Sequence, residues 1–217
     1  MNYIKNIGKK SCKAFENLKS VKHSSIQKTL SDYSQLIKKN QKNIINENLK
    51  DLNNSKRRNL IDRLLLNKKR INQIRDSLQI IKKFENPVGK ILSKWKKSNN
   101  LWIEKISIPI GVIAVIYESR PNVTADVAAL CLKSGNCVIL KGGSEAYYTN
   151  KILANLFRKA LKKNKIDENF VQFINSKNRK IVDFLLTKMS KYINVIIPRG
   201  GKQLVKKVKT SSNIPII

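Results

Sequence analysis

Apolar residues recur at three- and four-residue intervals up to about residue 85, most plainly at Leu60, Ile61, Leu64, Leu65, Ile71, Ile74, Leu78 and Ile81. That spacing places them on one face of a helix, and it predicts two or three amphipathic helices in this lysine-rich stretch. A break is expected around Asn53 and Asn54, and an end before Pro87, because a residue preceding proline is pushed out of helical geometry. After residue 100 the period changes. The segment LWIEKISI alternates polar and apolar positions, as an edge or hairpin strand does, and GVIAVIY is an almost unbroken apolar run, as a strand covered on both faces is.

From there strand and helix patterns alternate. Strands are expected at 112–117, 137–141, near 170–174 and at 194–197, with helices at about 123–134, 145–163, 178–190 and 201–209. Ile214, Pro215, Ile216 and Ile217 read as the start of another buried strand. The expected fold class is α/β: a doubly wound, Rossmann-like parallel sheet preceded by N-terminal helices. An apolar strand with nothing after it to cover it also reads as the mark of an incomplete domain. The 217 residues are enough for one large domain or two small ones, and 41% apolar residues supply material for a core.

Charge alters this picture less than its size suggests. Lys and Arg number 45 against 14 acidic residues, a net +31, which ordinarily points to phosphates, nucleic acid or an anionic membrane. The excess is mostly lysine, is spread along the chain and accompanies heavy use of Asn and Ile, residues that share A- and T-rich codons. Compositional drift accounts for it better than selection for a ligand. Arginines do not cluster with stacking aromatics, so a specific nucleic-acid partner is not expected.

Cys12, Cys131 and Cys137 have neither a metal-ligand spacing nor a paired framework, which favours a reducing compartment, the cytoplasm by default. The start, MNYIKNIGKKSCKAF, lacks the apolar core of a secretory signal, and the longest apolar run, 108–117, is about half a bilayer-spanning length. No membrane segment is expected. His23 reads as a solvated or packed histidine. Cys131 falls on the apolar face of a helix and Cys137 at the mouth of a buried strand, where a thiol serves as a small hydrophobe. Paired carboxylates, a Ser-His-Asp set and a metal cluster are all missing from the pattern.

Ligands of open parallel sheets bind at the carboxyl ends of the strands, so the turns there carry the candidate chemistry. The first is YESRPNVTAD at 117–126. It reads either as a strand-to-helix turn capped by Asn122 or Thr124, or as a site in which Arg120 meets an acyl phosphate or carboxylate and the Asn122 amide meets a developing oxyanion. The second is VILKGGSEA at 138–146, with Lys141, Gly142 and Gly143 ahead of a helix expected to start at Ser144. Glycine allows close backbone approach to phosphate, and helix N-termini attract anions, but the words match neither a Walker A nor a GxGxxG pattern. A plain tight turn fits as well. The third, VIIPRGGKQ at 195–203, repeats the design with Arg199, Gly200 and Gly201, and two such glycine pairs together favour a nucleotide ligand.

The string GVIAVIYESRPNVTADVAALCLKSGNCVILKGGSEA, followed by VIIPRGGK, resembles the gamma-glutamyl phosphate reductase family of the aldehyde dehydrogenase superfamily. The likeness runs from about residue 100 to 217 and is looser before that. It implies NADPH-dependent reduction of L-glutamyl 5-phosphate to L-glutamate 5-semialdehyde and phosphate, in proline biosynthesis. A cysteine thiolate attacks the acyl phosphate, phosphate leaves, and the thioester is reduced by hydride from the cofactor. The resemblance assigns Asn122 to the oxyanion and Lys141 to the adenosine ribose, with Ser144 or Glu145 approaching the same ribose beside Gly142 and Gly143. Gly200 and Gly201, with Arg199, fall where the diphosphate or nicotinamide end of NADP(H) passes.

The nucleophilic cysteine of the family belongs to a segment encoded after the one matched, and neither Cys131 nor Cys137 takes its position. Residues 1–100 are thus expected to form the N-terminal helical segment of a cofactor-binding domain and 101–217 its Rossmann-like NADP-binding portion. The catalytic domain is expected to be absent, activity to be lacking in the chain alone, and a complementary catalytic fragment or a homo-oligomer to complete it. The competing expectation is a non-catalytic nucleotide-binding remnant. A basic nucleic-acid-binding protein rests on charge alone.

Overall fold

The computed structural model describes residues 1–55, 61–178 and 180–217. Among them the N-terminal part carries five helices: α1 (Asn2–Leu18), α2 (His23–Lys39), α3 (Gln41–Asn54), the single turn α4 (Ile61–Leu64) and α5 (Lys68–Lys83). The break after Asn54 and the stop before Pro87 agree with the sequence. The helix number does not. Lysines between sparse apolar positions blur the period before residue 55, yet Ile4, Ile7, Ala14 and Leu18 of α1 and Ile26, Leu30, Tyr33 and Ile37 of α2 are all buried. Leu60 lies outside the described residues.

Next comes an antiparallel hairpin, β1 (Ile91–Lys96) and β2 (Trp102–Ile106), with register from Ile91 opposite Ile106 to Lys96 opposite Trp102. The alternating LWIEKISI segment supplies β2. Its partner β1 was not foreseen, because ILSKWK is short and exposed along its whole length. Asn100 closes the turn with a φ of 67°, a conformation that asparagine tolerates better than most residues.

The main sheet holds β3 (Val112–Tyr117), β4 (Cys137–Gly142), β5 (Val171–Phe173) and β6 (Val195–Arg199), all parallel, in the order β5-β4-β3-β6. Every residue of β3 and β4 is buried, which is why both read as continuous apolar runs. Between the strands lie α6 (Asn122–Lys133), α7 (Tyr147–Lys163) and α8 (Lys180–Lys188), and α9 (Lys202–Ser211) follows β6. The expected doubly wound architecture is present. Beyond β6, Ile216 makes a single parallel bridge to Ile196 and Ile214 is buried, but Pro215 and Ile217 are exposed, so the run at 214–217 falls short of the buried strand expected there.

Handedness sorts the helices. The chain moves one way across the sheet from β3 to β4 to β5, then doubles back to β6, and right-handed crossovers therefore put α6 and α7 on one face and α8 on the other. Helices α2, α3 and α5 pack over α6 and α7 as a further layer, while α1 lies against β3, β4 and β5. Buried residues of the N-terminal helices and of the sheet form one hydrophobic cluster.

Two polar contacts inside this packing hold the elements that present the turns. The Tyr117 hydroxyl meets Thr124 Oγ1 at 2.6 Å, and Thr124 Oγ1 donates to Asn150 Oδ1 at 2.9 Å, so one buried chain ties the end of β3 to α6 and α7. Asp32 of α2 accepts from Lys163 Nζ at 2.7 Å and Asn164 Nδ2 at 2.8 Å at the end of α7. Burial pushes the Asp32 carboxyl up, but the bonds from Lys163 and Asn164 and the nearby lysine charges outweigh it and hold the group below its ordinary range.

Replacing Thr124 by Val keeps the shape and strands the Tyr117 hydroxyl and the Asn150 carbonyl, so urea unfolding should show a loss of about 1–3 kcal/mol. An unchanged midpoint would deny the chain its role. For Asp32, a depressed folded-state pKa means that its contribution is complete above the ordinary value of 3.8 and is lost as pH falls through the folded-state value. The difference in urea midpoint between the wild-type chain and Asp32→Asn should therefore be widest near neutrality and close in acid. A difference independent of pH would contradict it.

Candidate functional site

A ligand crevice in a doubly wound sheet forms where neighbouring strands send their following helices to opposite faces. Here that place is between β3 and β6, since α6 and α9 leave on opposite sides. The two strands end level: Tyr117 stands opposite Gly142 on one flank and Arg199 on the other. The three turns singled out in the sequence consequently start in one row.

In the first turn Glu118 N–H donates to the Arg199 carbonyl at 3.1 Å and Arg120 N–H to the Glu118 carbonyl at 2.6 Å. Neither expected cap acts as one. Asn122 is the first residue of α6, preceded by Pro121, and its Nδ2 donates to Asp126 Oδ2 at 3.1 Å, while Thr124 is turned inward to Tyr117 and Asn150. An amide carries two donors, so Asn122 is oriented by Asp126 with one N–H still able to meet an oxyanion. Ser77 Oγ holds the same Asp126 at 2.9 Å.

In the second turn Lys141 is buried and its Nζ donates to the Gly142 carbonyl at 2.9 Å. Ser144 opens a 3-10 turn through Ala146, and α7 proper begins at Tyr147, slightly later than expected. Asp51 of α3, and no neighbour in sequence, serves the helix start: its carboxylate accepts from Tyr148 N–H at 3.0 Å and Thr149 N–H at 2.8 Å. In the third turn Gly201 N–H donates to Glu118 Oε2 at 2.9 Å.

None of the four turn glycines has a positive φ. Their reason is close packing. A Cβ on Gly142 would overlap the Asn150 amide, one on Gly143 would stand 2.9 Å from Glu145 Oε2, and one on Gly200 would stand 2.7 Å from Glu118 Cδ. At Gly201 the nearest atom, Glu118 Oε2, is 3.7 Å away, so that glycine alone of the four leaves room beside the backbone. Lys141 and Ser144 bring donors and Glu145 an acceptor to the second turn, and the third turn has open space at Gly201, whose N–H is already held by Glu118.

Two adjoining clefts open here. One, of about 260 Å³, is lined by Arg63, Glu118, Ser119, Arg120, Val123, Arg199, Gly200 and Gly201. The other, of about 480 Å³, includes Arg63, Arg70, Arg120, Asn122 and Asp126. Arg120 and Arg63 border both. Lys141, Gly142, Gly143, Ser144 and Glu145 line neither, and the second turn meets the first where Gly142 packs beside Tyr117 and Gly143 approaches Glu118 and Ser119. Sequence reading missed Glu118 and Arg63. Glu118 had a signal, an acid directly after a buried strand; Arg63 had none beyond its place in a helical pattern.

Cys131 and Cys137 are buried, as expected. Burial pushes the Cys131 thiol up to about 12 and raises Cys137 further, and it raises Cys12 as well. Among the described residues no three His, Cys, Asp or Glu side chains gather as a metal site, and no helix is long and apolar enough to cross a membrane.

With this geometry in view, the chain is matched from residue 2 to 215 by the model of the aldehyde dehydrogenase family. It is 42% identical over 219 residues to a gamma-glutamyl phosphate reductase of Petrotoga mobilis, covering 99% of this chain and 52% of that one. The solved gamma-glutamyl phosphate reductase of Thermotoga maritima superposes with a TM-score of 0.93 at 32% identity, over 97% of this chain and 52% of the other. That of Saccharomyces cerevisiae gives 0.89 at 29%, over 98% and 55%. The chain spans about half the length of the curated relatives it matches. Its sheet, its turns and its match over almost every residue agree: the chain belongs to the aldehyde dehydrogenase family.

Proposed function

We propose that the chain is the dinucleotide-binding portion of an NADPH-dependent reductase that converts L-glutamyl 5-phosphate to L-glutamate 5-semialdehyde and phosphate, acting in the cytoplasm in proline biosynthesis. The observation that carries this reading is the 42% identity, over 99% of the chain, to a relative named for that reaction. The crevice between β3 and β6 supports it, being where a doubly wound sheet accepts a nucleotide.

In this reading Lys141, Ser144 and Glu145 receive the ribose end of NADP(H) beside Gly142 and Gly143, and Arg199, Gly200 and Gly201 border its diphosphate or nicotinamide end. NADPH supplies hydride when bound. Glu118 must release the Gly201 N–H before a phosphate oxygen can take it. Arg120 faces the acyl phosphate, and Asn122, steadied by Asp126, donates to the oxyanion that forms as a nucleophile adds to the acyl carbon.

The nucleophile is not assigned to any of the three cysteines. A thiolate is the reacting form, and burial keeps Cys131 and Cys137 protonated at neutral pH. The same fact favours a second reading, a nucleotide-binding chain that turns over substrate only with a complementary catalytic fragment or within a homo-oligomer, or not at all.

NADPH fluorescence titration of the purified chain should show binding, weakened about 10- to 100-fold in Lys141→Ala, the worth of one charge-assisted hydrogen bond. An affinity unchanged by that substitution would remove Lys141 from the site. Assayed alone with glutamyl phosphate and NADPH, the chain should produce no semialdehyde. Turnover abolished by Cys131→Ser or Cys137→Ser would overturn the assignment of those thiols to the core.

A further inference from the structure

We propose that Arg63 and Arg120, with Arg199 standing between the cofactor's diphosphate and the substrate, form the receptor for the phosphoryl group of an acyl phosphate, with Arg63, on the N-terminal helical layer, as the residue that selects a phosphorylated substrate. The proposal rests on the reductase reading above and deepens it.

The described arginines fall into two groups. Arg70 pairs with Asp62 at 2.6 Å and also donates to the Asp62 and Leu65 carbonyls, Arg75 donates to the Ser34 carbonyl at 3.3 Å, and Arg158 pairs with Glu168 at 3.2 Å. Arg63, Arg120 and Arg199 have no ion-pair or side-chain hydrogen-bond partner among the described residues. All three border the same cleft of about 260 Å³. The Glu118 carboxylate borders the same cleft, yet three guanidinium groups beside one carboxylate leave positive charge uncompensated, and a further anion relieves their repulsion.

The acids nearby are otherwise engaged. Glu118 accepts from Gly201 N–H, Asp62 pairs with Arg70, and Asp126 accepts from Ser77 and Asn122. None neutralises the three arginines at ion-pair distance among the described residues. A tetrahedral phosphoryl group, with several acceptor oxygens, suits planar forked donors better than a single carboxylate does. Arg120 also borders the larger cleft beside Asn122, which leaves space next to the phosphoryl group for an acyl chain.

Arg63 is held by a device that its own neighbourhood does not reveal. Asn48 of α3, itself buried, donates to the Leu64 carbonyl at 2.8 Å and accepts from Leu66 N–H at 2.7 Å. Arg70 grips the backbone on either side through the Asp62 and Leu65 carbonyls. The backbone around Arg63 is thus anchored while its side chain stays exposed at the crevice.

The test is calorimetric titration of the purified chain with inorganic phosphate and with acetyl phosphate, at near-physiological chloride to suppress binding by net charge. Parallel NADPH titrations use the same samples. Arg63→Ala and Arg120→Ala should each weaken both phosphate probes about tenfold or more, Arg63→Lys should restore part of the loss, and Lys9→Ala on α1 should change nothing. Arg63→Ala should leave NADPH affinity and thermal midpoint as in the wild-type chain.

Phosphate affinity unaltered by Arg63→Ala, or weakened equally by Lys9→Ala, would overturn the proposal. So would equal weakening of NADPH, which would make the anion the cofactor's own phosphate. A chain that binds NADPH but neither phosphate probe loses the arginine receptor and keeps the reductase reading. One that binds phosphate through Arg63 and does not bind NADPH keeps the receptor and loses the reductase reading.

Discussion

Parallel pairing sets Tyr117 beside Gly142 on one flank and Arg199 on the other, and this row of backbone hydrogen bonds brings three turns from distant parts of the chain level with one another. A shift of register by one residue would reverse which side chains face each layer. Each turn would then move relative to its neighbours. The register is secured because β3 and β4 are buried on both faces, and the Tyr117, Thr124 and Asn150 chain pins the same row to α6 and α7. Glycine completes the arrangement where the turns crowd, against Asn150, Glu145 and Glu118.

Electrostatics is uneven over this frame. Much of the excess of lysine lies on the solvated surface, where pairs such as Lys19 with Glu16 or Lys90 with Glu85 are exposed and contribute little. Arginine behaves differently. Where it is packed it is paired, and the arginines without a partner among the described residues converge on the crevice. Net charge alone would have pointed to a diffuse polyanion partner, whereas the arrangement of the few arginines points to a small, localised anion.

Glu118 connects both themes. Its backbone joins β3 to β6 through the Arg199 carbonyl, and its carboxylate occupies the Gly201 N–H at the start of α9. An acid at a helix N-terminus is favourable, so the crevice carries its own internal anion at the start of α9, where the proposed function would seat a phosphate.

Periodicity alone determined much of this molecule. The strands at 112–117, 137–141 and 194–197, the helices between them and the turns that carry Arg120, Asn122, Lys141 and the glycine pairs were legible because buried parallel strands are written as apolar runs of about strand length. The doubly wound class followed from their alternation, and the burial of Cys131 and Cys137 from their neighbours. Tertiary structure decided what local pattern cannot encode. Asp51 caps a helix that starts 96 residues after it, at Tyr147, and at the start of α6 Asn122 and Thr124 turn to Asp126, Tyr117 and Asn150 in place of capping. Arg63 and Glu118 joined the crevice only when α3 and β6 were brought against their own segments. Both are long-range consequences of packing, in which a side chain's partner is set by which layers meet and hardly at all by its neighbours in the chain.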